Sequence, residues 1–248
     1  MKNTKTILSL ASILVALAVM TIPLKAVTYT GTGNANGGGA ADGGGISSVD
    51  IFNDASTITF TINSTQPMAS WIFFTVQIQK VGAPTGYTGF ANPWGPQIGV
   101  SSGTHALINT WGTGATPFTF DGANWVEGTG QSYDAGGTGS TFATVTLALS
   151  SLGLSVGDSF HFDVVSSYTS PTGQSAYGAL FNTSWPAESD NAYTPWNGTS
   201  YYDSATDAGG TLFGTSASLY TVIPEPATIT LLAAGFGLLM MQNRRIRR

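Results

Sequence analysis

The chain contains no cysteine, which removes disulfides and thiolate metal sites from its chemistry. Charge is scarce as well, with only 8% of residues being Asp, Glu, Lys or Arg. Basic residues are almost missing from the middle. All eight are Lys2, Lys5, Lys25, Lys80, Arg244, Arg245, Arg247 and Arg248, so Lys80 alone lies between residues 27 and 223. Twelve carboxylates occupy that stretch, and one positive charge against twelve negative leaves −11. Phosphate recognition needs clustered Lys and Arg, so no nucleic-acid partner is expected. An amphipathic helical pattern is also lacking, and no repeat recurs at a fixed period.

What is present is Gly, Ser, Thr and aromatic residues, the composition of an extracellular β protein rather than of an acidic disordered tail. A body of about 195 residues can bury a single core without covalent staples. Glycine accounts for eight of the fifteen positions from 31 to 45. Residues 27–45 therefore read as a Gly-rich linker, with the first ordered strand expected near Ile46.

From there the pattern has period two. Ile58, Phe60 and Ile62 alternate with Thr57, Thr59 and Thr61, and Ile72, Phe74, Val76 and Ile78 share one face of 71–79. Alternation returns at Ala143, Val145, Leu147 and Leu149, and at Phe160, Phe162 and Val164. Asp121-Gly122 marks a turn between Phe118–Phe120 and Trp125-Val126. Many short strands with Gly, Pro, Asn and Asp turns predict an all-β body over 46–222, an antiparallel β-sandwich or jelly roll.

The two ends have a different grammar. Lys2 and Lys5 precede an uncharged run from Thr6 to Leu24, the layout of a secretory signal peptide over 1–26 with cleavage after Ala26. At the other end Pro224-Glu225-Pro226 precedes fifteen uncharged residues, Ala227 to Met241, and then Arg244, Arg245, Arg247 and Arg248. Two prolines around one acid hold an extended segment suited to another protein's active site. As a helix, 227–241 would span about 23 Å, short against a hydrocarbon core of about 30 Å, so flanking residues or bilayer thinning complete the crossing. The terminal arginines favour the cytoplasmic side, which leaves the body opposite. Signal and membrane helices are thus expected to flank the β body.

The arrangement over 223–248 resembles the PEP-CTERM sorting signal of Gram-negative bacteria. That resemblance implies recognition by an exosortase, a membrane-embedded cysteine protease or transpeptidase, after the secretion machinery and signal peptidase have acted. It also implies transient anchoring in the inner membrane with the body periplasmic, then release to the cell surface or exopolysaccharide matrix. A plain C-terminal anchor is the competing assignment for the same residues. Ile46 to Asp54, leading into Thr57 to Ile62, resembles the opening of carbohydrate-binding modules of the family-nine type, and Leu152 to Val164 is similar to a turn and strand of other PEP-CTERM bodies.

Catalytic signals are thin. Gly99-Val100-Ser101-Ser102-Gly103 and Gly153-Leu154-Ser155-Val156-Gly157 match the nucleophile-elbow pattern, but neither is followed by the helix that the elbow requires. His105 and His161 each fall in an expected strand and read as surface residues. Glu188, Asp190 and Asn191, or Asp203 and Asp207, could offer oxygen ligands to calcium, yet no cation loop is spelled out, so neither metal nor cofactor is expected.

The strongest ligand signal is aromatic. Trp94, Trp185 and Trp196 sit beside prolines that strands reject, with Tyr201 nearby. Such loop rings stack on sugars or, more plainly, plug the ends of the core. The expectation is a non-enzymatic surface or matrix protein, with extracellular polysaccharide as a candidate ligand of those rings. Its alternative is a secreted glycoside hydrolase or lyase using a pair of the body's carboxylates.

Overall fold

A computed structural model describes residues 26–31, 33, 42–83, 86–87, 93, 103–111, 114–129, 131–134, 139–170, 173–180 and 219–224. The chain divides into two compact units, Ala26–Val222 and a second made of Met1–Lys25 with Ile223–Arg248. In the second unit only Ile223 and Pro224 are described, both exposed. Among the described residues no helix is long and apolar enough to cross a membrane. The expected signal and membrane segments, 1–25 and 227–241, lie outside them.

The larger unit is all-β and antiparallel. Its described strands are β1 (Val27–Thr30), β2 (Ile46–Asn53), β3 (Thr57–Ser64), β4 (Ile72–Lys80), β5 (Ala106–Trp111), β6 (Gly114–Phe120), β7 (Trp125–Glu127), β8 (Gln131–Asp134), β9 (Phe142–Ala148), β10 (Ser159–Ser170), β11 (Gly173–Ala179) and β12 (Leu219–Thr221). A 3-10 turn, Leu149–Leu152, joins β9 to the approach to β10.

Two sheets result. In the first, β1, β2, β3, β9 and β8 are neighbours in that order; in the second, β6, β5, β4, β10 and β11 follow, with β7 on β6 and β12 on β10. β8 pairs with both β9 and β6, so the ladder passes from one sheet to the other without a break.

Period-two alternation sorts the side chains. β3 alternates half-buried Thr with buried Ile58, Phe60 and Ile62, and β9 buries Ala143, Val145 and Leu147. These residues and Val49 and Ile51 share one core with Phe74, Val76, Ile78, Ile108, Phe160, Phe162 and Val164 of the second sheet. Phe60 lies 6.5 Å from Phe160 and 6.3 Å from Phe162, ring centre to ring centre, which brings the inner faces of the two sheets together. The outer face of the first sheet is polar: Thr59 bonds Thr146 at 2.8 Å, Thr61 bonds Thr144 at 3.3 Å, and the Asn63 amide donates to Asp50 at 2.9 Å.

The turns follow side-chain chemistry. Between β2 and β3, Asp54 Oδ1 accepts the Ser56 and Thr57 amides at 2.7 and 2.6 Å while Oδ2 accepts the Thr57 hydroxyl at 2.8 Å. These bonds, the Ser56 amide foremost, hold the carboxyl near pKa 2. Between β6 and β7, Asp121 Oδ1 accepts the Ala123 and Asn124 amides, and Gly122 takes φ 102°, the turn that Asp121-Gly122 predicts.

Two expectations are corrected. Val27–Thr30 forms β1 and pairs with β2 inside the segment read as linker, because Val-Thr-Tyr-Thr is itself a strand-forming run before the glycines begin. His105 is not a surface residue: it immediately precedes β5 and is buried. The Gly153 to Gly157 motif is no nucleophile elbow. Gly153 (φ 64°) caps the 3-10 turn, and the Ser155 amide donates to Asp158 at 2.8 Å.

Candidate functional site

Strand pairing aligns the outer face of the second sheet into rows. Val165, Thr75, Asn109 and Thr116 lie side by side across β10, β4, β5 and β6; the adjacent row is Asp163, Gln77, Leu107 and Phe118. Sheet faces turned to water leave such polar residues wet. Here Thr75, Gln77, Asn109, Thr116 and Asp163 are all buried, with Gln77 and Asp163 at 0% exposure.

Burial of that kind requires partners. The Thr75 hydroxyl donates to Asn109 Oδ1 at 2.9 Å. The Thr104 hydroxyl lies 3.5 Å from Gln77 Oε1. Asp163 Oδ1 accepts the Val164 amide at 2.8 Å. The described centre of the second sheet is therefore buried on both faces, apolar on the inner one and mixed on the outer one, where Leu107, Phe118 and Val165 accompany the polar residues.

Each end of this outer face carries aromatic rings. Towards the β6–β7 hairpin, Tyr87, Phe120 and Trp125 form a triangle with centroids 5.2, 5.2 and 5.4 Å apart. Trp125 Nε1 is out of solvent and has no hydrogen-bond acceptor among the described residues. At the opposite end, where β4 starts and β5 finishes, Trp71 and Trp111 are 48% and 46% exposed.

Beside the far end of β4 is the body's one cation. Lys80 Nζ meets Asp158 Oδ2 at 2.7 Å and donates to the Gly153 carbonyl at 3.1 Å. The Lys80 backbone amide donates to His105 Nδ1 at 2.7 Å, so the ring proton sits on Nε2, 3.3 Å from the Leu152 carbonyl. Burial pulls the His105 pKa down to about 4, which keeps the ring neutral. Asp158 is held below the usual carboxylate range, chiefly by the Lys80 ammonium. The group bridges β4 to the 3-10 turn and acts as a brace.

Trp94, Trp185, Trp196 and Tyr201 lie outside the described residues, as do Glu225, Pro226, Arg244, Arg245, Arg247 and Arg248, and the acids at 188, 190, 203 and 207. Ala26 is half-buried immediately before β1, and Pro224 is exposed two residues beyond Val222. Among the described residues no three His, Asp or Glu side chains gather as a metal site.

Reading by pattern passed over Trp71, Trp111, Gln77, Asn109 and Asp163. Trp71 could be found as an indole at a strand entrance. The buried polar row had no separate signal, because a polar residue alternating with Ile or Phe reads the same whether its face is wet or covered. Comparison with protein families, with curated proteins and with solved structures found no match.

Proposed function

We propose that this chain is an exported bacterial surface or exopolysaccharide-matrix protein, sorted by an exosortase through a PEP-CTERM tag. Its body, in this reading, is an antiparallel sandwich of jelly-roll type that binds glycan and performs no catalysis. The observation that carries the reading is the ordered series Pro224-Glu225-Pro226, Ala227 to Met241 and the four terminal arginines, behind a secretory signal layout.

The compact unit Ala26–Val222 supports it. β1 begins one residue after the expected signal cleavage, and β12 ends three residues before Pro224. Pro224 is exposed, which suits a segment offered to a protease.

Five of the described carboxylates are engaged in holding the fold, which fits a binding protein. Asp54 and Asp121 hold turns, Asp158 pairs with Lys80, Asp50 accepts from Asn63, and Asp42 accepts from Trp71. Each has a structural partner where a glycosidase needs a facing pair.

Intact-mass measurement of the surface fraction tests the sorting. The expected species starts at Val27 and lacks the apolar segment and arginines; changing Pro224, Glu225 and Pro226 to Ala leaves it full-length in the inner membrane. Persistent full-length wild-type chain in that membrane would make the tag a plain anchor and sink the reading.

A further inference from the structure

We propose that Tyr87, Phe120 and Trp125, with the carboxylates of Asp121 and Glu127 beside them, bind a polysaccharide that carries free amino groups; this rests on the glycan-binding reading above and names the ligand class. The three rings are half-buried and gather at one end of the outer face of the second sheet. They tilt 54° to 68° to one another with centroids 5.2 to 5.4 Å apart, so they meet at a corner instead of stacking.

Each ring is fixed through its backbone. The Tyr87 amide donates to the Thr104 carbonyl and the Tyr87 carbonyl accepts the Gly103 amide, both at 2.8 Å. Gly86 permits that approach, since a Cβ there would lie 2.3 Å from the Gly103 carbonyl carbon. The Phe120 amide donates to the His105 carbonyl at 2.8 Å, and Phe120 pairs with Trp125 across the β6–β7 hairpin. Asp121 Oδ1 closes that hairpin by accepting the Ala123 and Asn124 amides at 2.8 and 2.7 Å. Rings set in advance lose little freedom on meeting a ligand.

The indole also has an unmet donor. Trp125 Nε1 is kept from water without an acceptor among the described residues, and a buried donor in that state is destabilising until an oxygen meets it. A sugar hydroxyl or ring oxygen at the indole edge supplies one, while the C–H face of the sugar rests on an aromatic ring.

The ligand's charge follows from the carboxylates. Glu127 pairs with Phe118 and lies two residues from Trp125, which puts it on the same face of the hairpin as the rings, and it is exposed. Asp121 is exposed too, and the Asn124 and Ala123 amides hold its carboxyl below the usual range, so it stays ionised. Between residues 27 and 223 there is one lysine against twelve acids, and Lys80 is paired with Asp158. That field repels a polyanion and draws a cation. An ammonium on the sugar is attracted by the carboxylates and, within about 6 Å of a ring centroid, by the aromatic faces. A neutral glucan gains the stacking alone, so the fitting chain is an amino-sugar polymer.

Isothermal titration of the full chain in mild detergent and mildly acidic buffer, with a glucosamine hexamer, cellohexaose and hexalysine as separate probes, tests the site. The glucosamine hexamer should bind at least about tenfold more tightly than either of the others, because it alone offers both pyranose faces and ammonium groups. Trp125→Ala and Tyr87→Ala should each weaken it about tenfold, and Glu127→Gln, an exposed change that leaves the rings in place, about threefold. Unchanged thermal midpoints would separate these losses from unfolding. If a ring variant unfolds, Glu127→Gln decides, and unchanged binding there overturns the site. Cellohexaose bound as tightly as the glucosamine hexamer, or hexamer binding that survives the Tyr87→Ala/Trp125→Ala double change, would overturn this site and leave the glycan reading intact. Hexalysine bound as tightly would reduce the attraction to bulk charge and overturn the site as well. Binding of neither sugar would overturn both the site and the glycan reading.

Discussion

The Tyr29 hydroxyl donates to the Leu219 carbonyl, joining the first described strand to the last. The same ring packs edge-on against Phe162 at 4.8 Å. One residue on, the Tyr220 hydroxyl donates to Asn53 Oδ1 at 2.7 Å. β1 and β12 are therefore each fastened to the other's sheet.

Removing the first fastener should loosen the ends without opening the core. Tyr29→Phe keeps the ring and loses the bond, at a cost of about 1 kcal/mol in urea unfolding. Burial raises both Tyr29 and Tyr220 to about pKa 12. Their folded values exceed the unfolded ones, so their stabilisation is complete below pH 10 and is lost as pH rises towards 12. The alkaline decline should be shallower in Tyr29→Phe, and an identical decline in both proteins would rule this tyrosine out as its source.

Acid acts through a different residue. His105 is neutral in the fold, with its pKa lowered to about 4, and titrates near its ordinary value when unfolded. The unfolded chain then binds the extra proton, so stability is full above about pH 6.5 and falls by up to about 3 kcal/mol as pH drops to 4. His105→Asn keeps an acceptor near the Lys80 amide and should flatten the curve in that window. Losses carried by Asp54 and Asp158 come lower, below the ordinary carboxylate range, because their folded values are depressed. Chemical unfolding at half-unit pH steps distinguishes the two windows.

Glycines of positive φ should differ sharply in their tolerance. A Cβ at Gly43 (φ 81°) would lie 2.7 Å from the Met68 Cα and 2.8 Å from the Pro67 carbonyl oxygen. Gly153 (φ 64°) has open space around it. Gly43→Ala should cost about 3 kcal/mol or more, from strain plus collision, and Gly153→Ala about 1 from strain alone. Equal urea midpoints for the two variants would contradict the close approach at Gly43.

The buried pair Thr75 and Asn109 should behave as a unit. Asn109→Ala leaves the Thr75 hydroxyl without its acceptor and should cost about 2 kcal/mol. Adding Thr75→Val should then cost less than it does alone. A double-mutant cycle with purely additive losses would mean that the bond contributes nothing to the stability of this face.

Much of this architecture is legible in the chain itself. Alternation at Ile58, Phe60 and Ile62, at Phe74 to Ile78 and at Phe160 and Phe162 assigns strands and their inner faces, because a pleated strand repeats every two residues. Asp121-Gly122 marks its turn by the same local logic. The glycine-rich run hid β1, since four strand-forming residues before it are a short signal beside eight glycines.

Only the tertiary structure decided which second faces are wet. Thr59 and Gln77 occupy equivalent places in alternating strands, yet Thr59 is half-buried on the open outer face of the first sheet and Gln77 is fully buried on the second. His105 turned from surface residue to brace for the same reason. Period two is a property of one strand and is written in its residues. Burial of the opposite face depends on which distant segments return to cover it, a long-range outcome that no local period encodes.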